Sequence, residues 1–146
     1  MESTMSVGVL WSEMSSTVSS GRLWTGRVIA GLIGAFMLLD AAMKFAKPPR
    51  VADAFVRTGW PIDLSVPLGF ILLTSLILFL IPRTSVLGAI LLTGYFGGAV
   101  ASNRRLHEPL FSHTLFPVYF GVLMWLSLWL REPRLTELAP LQKPRF

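Results

Sequence analysis

Four runs of apolar residues constrain this chain more than any other feature: roughly 23–43, 64–81, 85–102 and 114–130. A helix crosses a ~30 Å hydrocarbon core with about 20 apolar residues at 1.5 Å each, and every run is near that length. No run alternates as the strand of a membrane barrel does, and no period of 20–50 residues repeats. The expected fold is therefore an all-α integral membrane domain, an antiparallel bundle of four transmembrane helices. Three short runs imply little tilt or local thinning of the bilayer.

Composition agrees. Of 146 residues, 53% are hydrophobic and 14% charged, against about 25% charged in soluble domains. So short and apolar a chain cannot hide its apolar surface as a soluble monomer. The net charge of +5 comes from Lys and Arg at the ends of the apolar runs, a placement that suits lipid headgroups rather than nucleic acid. There is no cysteine, which excludes thiolate catalysis, iron–sulfur ligation and covalent haem attachment within the chain.

Three segments follow. Residues 1–22 read as a flexible polar tail: nine of residues 2–20 are Ser or Thr, and no basic start or long apolar stretch marks a signal peptide. Residues 23–136 form the membrane domain and 137–146 a short C-terminal tail. Four crossings put both termini on one side, with Trp24 and Trp129, and Trp60 on the other, as an aromatic belt. Basic residues number seven on the terminal side and six opposite, too even to orient the protein. Without a cleaved signal, cytoplasmic termini are the commoner outcome.

The turn Pro82-Arg83-Thr84 forces a tight hairpin between the second and third spans. Between the first two spans, Pro49 starts and Gly59 stops a short helix that reads as lying at the membrane interface. Small residues recur at Ala30-x-x-x-Gly34, Gly31-x-x-x-Ala35, Gly94-x-x-x-Gly98 and Gly97-x-x-x-Ala101. Such faces either pair two copies or pack helices within the bundle. Two helices carry matching small faces, so packing within the bundle is the expectation.

Polar side chains collect at one end, where Asp40, Lys44, Asn103, Arg104, Arg105, His107, Glu108 and His113 become neighbours in depth. Asp40 is the sharpest signal, because a carboxylate in a transmembrane helix costs ~2.5–3.5 kcal/mol at the centre and less toward the end. It either pairs with Lys44 one turn on or faces a polar pocket for a headgroup, a quinone or a proton. His113, with Ser112 and Thr114 as N-cap candidates, suits a proton shuttle or an interfacial hydrogen bond. His107 and His113 are six apart in one loop, a poor haem pair, and with Glu108 match no standard metal spacing. Arg104 and Arg105 can clamp an anionic headgroup or simply suit the helix dipole. Tyr95, Tyr119 and Trp125 would line a flat aromatic pocket or serve as packing.

The stretches Leu68-Gly69-Phe70, Ile81-Pro82-Arg83-Thr84-Ser85-Val86-Leu87-Gly88-Ala89 and Thr93-Gly94-Tyr95-Phe96-Gly97-Gly98-Ala99 resemble the DoxX-like family. So do Asp40-Ala41-Ala42-Met43-Lys44, Phe111-Ser112-His113 with Phe116-Pro117, and Leu130-Arg131-Glu132-Pro133-Arg134-Leu135. The likeness spans roughly residues 25–136. It implies a four-helix membrane protein, mostly bacterial and of the plasma membrane. The family takes its name from a subunit of a thiosulfate:quinone oxidoreductase, but nothing in this chain is suited to hold a sulfur substrate. The leading expectation is a protein without independent catalysis that binds a lipophilic molecule or a partner around Asp40. A quinone-reactive oxidoreductase subunit and an assembly subunit of a membrane complex are the alternatives. Quinone is the one cofactor this leaves in view; the expected partners are the lipid bilayer, other subunits or further copies of the chain, and no nucleic acid.

Overall fold

The computed structural model describes residues 20–107, 109–132 and 135. The tail up to residue 19, Glu108, Pro133-Arg134 and residues 136–146 lie outside the described residues, as do the side chains of Ser112 and His113. The described residues are helical, in five α-helices: α1 Ser20–Ala46, α2 Pro49–Thr58, α3 Ser65–Leu80, α4 Ser85–Arg105 and α5 Phe116–Arg131. A 3₁₀ turn, Ile62–Leu64, leads into α3, and a π-turn, Leu110–Thr114, precedes α5. Three spans are long and apolar enough to cross a membrane: Ser20–Ala46, Ile62–Leu80 and Ser85–Arg105. The 16-residue α5 is apolar but shorter.

The helices begin and end where local chemistry dictates. α1 starts three residues inside the stretch read as tail and runs to Ala46. It stops because Lys47 turns left-handed (φ 48°) and Pro48 and Pro49 follow. Pro49 opens α2, and Gly59 closes it in the left-handed conformation (φ 68°), which glycine adopts without strain. α4 ends the same way with His107 (φ 56°), whose backbone N–H reaches the Arg104 carbonyl. At α5 the expected N-cap is corrected: Leu115 occupies that position and no side chain caps it. Thr114 is instead buried in the π-turn, whose wider winding shifts the helix start past it.

α1, α3, α4 and α5 share one core, built from Ile33, Met37, Leu72, Phe79, Leu92 and Met124 among others. Each of the four packs on two neighbours: α1 on α3 and α5, and α4 on α3 and α5. Glycine sets the closest approaches. A β-carbon on Gly88 would strike the backbone of Phe79, so α3 and α4 meet almost main chain to main chain beside their turn. A β-carbon on Gly69 would press on the Phe45 ring at 3.1 Å, where α3 passes the end of α1. The outer surfaces stay apolar: Leu32, Phe70 and Val122 are more than half exposed, as lipid-facing residues are.

The small-residue faces divide. Ala30 and Gly34 are buried, Gly34 facing Leu76 and Leu80 of α3, so this pair packs as expected. The expectation fails for α4. Nothing lies within 4 Å of a β-carbon placed on Gly94, Gly97 or Gly98, and the same holds for Gly31. α4 turns its inward side to Ala89, Leu92 and Phe96, all buried, which leaves the three glycines facing outward.

Candidate functional site

Two features lie in the half of the molecule where α1 ends and α5 begins. The first is a polar centre on the inner side. Lys44 Nζ donates to both Asp40 carboxylate oxygens at 2.7 Å. The helix makes this pair for free, since residues four apart lie one above the other. The ammonium also stands over the Tyr95 ring of α4, 5.8 Å from its centroid, close enough for a cation–π attraction. The Lys44 side chain is 14% exposed and that of Asp40 36%. The ammonium is therefore held inside while the Asp40 side chain stays partly accessible. Ser65 anchors the site from below, donating its hydroxyl to the Lys44 carbonyl at 2.7 Å.

Beside Asp40 lies an aromatic cluster. Phe36, one turn before Asp40 on α1, sits 4.6 Å from Phe120 and 5.7 Å from Phe116, both of α5. Phe36 and Phe116 are each about two-fifths exposed. A partly exposed aspartate one turn from open aromatic rings can take an amphiphile, with its donor on Asp40 and its apolar body on the rings.

The second feature is a groove of about 530 Å³ on the outer side, between α4 and α5. Thr93, Gly97 and Val100 form one wall, and Pro117, Gly121 and Trp125 the other. Trp125 Nε1 donates to Thr93 Oγ1 at 3.0 Å, and that hydroxyl donates to the Ala89 carbonyl at 2.7 Å. The indole so tied closes the lower end of the groove.

The other candidate residues spread around this end. Arg104 and His107 are exposed, and Asn103 is partly buried and engaged. Arg105 donates to the Thr58 carbonyl at 2.6 Å, and Trp60 Nε1 to Ser102 Oγ at 3.3 Å. These two bonds pin the loop after α2 to the end of α4. Asp40 and Lys44 are brought together; Arg104 and His107 face solvent elsewhere on the same end. Among the described residues no group of three His, Asp or Glu could hold a metal.

The aromatic trio read from the sequence is dispersed: Tyr95 faces Lys44, Trp125 lines the groove, and Tyr119 lies exposed. The Phe36–Phe116–Phe120 cluster escaped sequence reading. Its one signal was Phe36 one turn before Asp40, and nothing in the spacing said which face of α5 would meet it.

A family model, described as the DoxX-like family, matches residues 28–127. No curated protein and no solved structure matches the chain.

Proposed function

This chain belongs to the DoxX-like family, and from that premise we propose that it is a four-span membrane protein that binds a lipophilic small molecule at the Asp40 face and has no independent catalysis. Three spans of sufficient length, with α5 and its preceding π-turn as the fourth, support the four crossings. With this topology α1 and α5 would place Trp24 and Trp129 at one interface, and the Arg22 hydrogen bond to the Trp129 carbonyl at 3.1 Å is in keeping with it. α2, with Phe55 buried and Arg50 and Arg57 exposed, suits a helix lying at the opposite interface. The likeness to the family favours a bacterial plasma membrane, and four crossings would put both termini on the same side of it.

The observation that carries the binding reading is the Lys44–Asp40 pair with the Asp40 side chain partly exposed, one turn from Phe36 and its partly exposed neighbour Phe116. Asn103, His107 and His113 stand at the same end in this reading, as the polar rim that a headgroup would meet.

Native mass spectrometry of the gently solubilised protein, beside Asp40→Asn, tests it. The wild type should retain a small molecule that the variant loses. A quinone mass would favour the redox-subunit alternative, and a protein subunit at fixed stoichiometry, retained by both forms, the assembly alternative. A wild type carrying only bulk lipid would end the proposal.

A further inference from the structure

We infer a second, separate site: the groove between α4 and α5 takes one acyl chain of an anionic phospholipid, whose phosphate is held at Arg104. The inference does not rest on the Asp40 reading.

Three observations meet at this groove. The first is its length. It opens toward the end of α4 beyond Val100 and is closed below by the Trp125–Thr93 hydrogen bond. Arg104 stands eleven residues after Thr93, which is ~16 Å along a helix. The groove's own lining on α4 runs from Thr93 to Val100, ~10 Å along a helix, and the further turn that carries Arg104 brings the span to the ~15 Å half-thickness of a ~30 Å hydrocarbon core.

The second is its lining. The side-chain polar atoms on these walls are the Thr93 hydroxyl and the indole N–H, and both are bonded: the indole donates to the hydroxyl, which donates to the Ala89 carbonyl. Gly97 and Gly121 deepen the groove, because each lacks the side chain that would fill it; a β-carbon on Gly97 would meet nothing within 4 Å. A volume of about 530 Å³ lies within the ~300–1,000 Å³ of small-molecule sites.

The third is charge at the mouth. Arg104 follows Val100 by four residues and Gly97 by seven, so it continues the groove wall by one turn. It is exposed, and long side chains in a helix lean back toward the preceding turn, here toward the groove. Its neighbour Ser102 is bonded to Trp60, a residue type that marks headgroup level. The N-terminal end of α5, where Pro117 lines the groove, adds its partial positive charge at that level. A guanidinium there offers two parallel donors to a phosphate.

The test uses the full-length protein in mild detergent, with phosphatidylglycerol and phosphatidylcholine of identical chains supplied in equal amounts and bound lipid counted by native mass spectrometry. The wild type should retain one phosphatidylglycerol, preferred roughly fivefold, the effect expected of one cation at a membrane surface. Gly97→Leu should lose both lipids with its helicity unchanged by circular dichroism, since the added side chain enters open space. Arg104→Gln should keep a lipid but lose the preference. No retained lipid in the wild type, equal retention of the two lipids, or undiminished retention in Gly97→Leu would each overturn the inference. So would a wild-type dimer that Gly97→Leu dissociates, which would assign the groove to a second copy.

Discussion

Gly88 and Gly97 stand nine residues apart on α4, two and a half turns, and so on opposite faces. At Gly88 a single methyl group would collide with the backbone of Phe79; at Gly97 it would touch nothing. The same residue type serves two ends. On the inward face it lets two backbones meet, and on the outward face it leaves a hollow. The inward face continues seven residues on to Tyr95, beneath the Lys44–Asp40 pair, while the outward face continues through Gly94 and Gly98. A helix pays about 1 kcal/mol for each interior glycine relative to alanine. The inward glycine recovers that through packing, and the outward ones recover it only if something fills the hollow.

The largest expected effect is at the inward contact. Gly88→Leu should abolish the folded state, a loss of more than about 4 kcal/mol, because the obstruction is main chain and cannot swing aside. Thermal unfolding in detergent checks it. A variant that folds with a wild-type Tm would mean that α3 and α4 are not in close contact at their turn, and the two faces would no longer differ.

The upper part of the inward face is next. Lys44→Met should cost about 1–3 kcal/mol, below the ~3–5 kcal/mol of a fully buried pair, since the Asp40 side chain is 36% exposed. Asp40→Asn should cost less, because a lone lysine can extend its stem to the interface whereas a lone aspartate cannot. The double variant should recover much of the loss. The coupling energy from this cycle, measured by reversible unfolding, distinguishes a mutual pair from two residues that each face solvent; additive losses would rule the pair out.

Much of this was legible in the sequence because it is local. Apolar run length fixed the helices, Pro49 and Gly59 bounded α2, and the i,i+4 spacing brought Lys44 to Asp40. What was not legible depends on which way a helix is turned. The spacing Gly94-x-x-x-Gly98 is the same whether the face looks in or out, and α4 is apolar all round, so periodicity carries no direction. Contacts across long separations, such as Trp125 to Thr93 and Phe36 to Phe120, have no local signature at all. The left-handed His107 was hidden for another reason: a residue that looks like chemistry ends a helix, in a position where glycine would have announced the stop.

The smallest expected effect separates the two faces most cleanly. In detergent stripped of lipid, Gly97→Leu should leave stability unchanged or raise it by up to about 1 kcal/mol, through the better helix propensity of leucine. The residue beneath it is not displaced, because no neighbour lies within 4 Å of the new β-carbon. Compared with Gly88→Leu, the same substitution on the same helix should therefore differ by several kcal/mol in unfolding measurements. A loss of more than about 1 kcal/mol at position 97 would mean that the outer face is already packed in the folded protein, against a tightly held lipid or a second copy. Repeating the unfolding with phosphatidylglycerol added then tells the two apart: a bound lipid stabilises the wild type in proportion to lipid concentration and not the variant, whereas a dimer makes stability follow protein concentration instead.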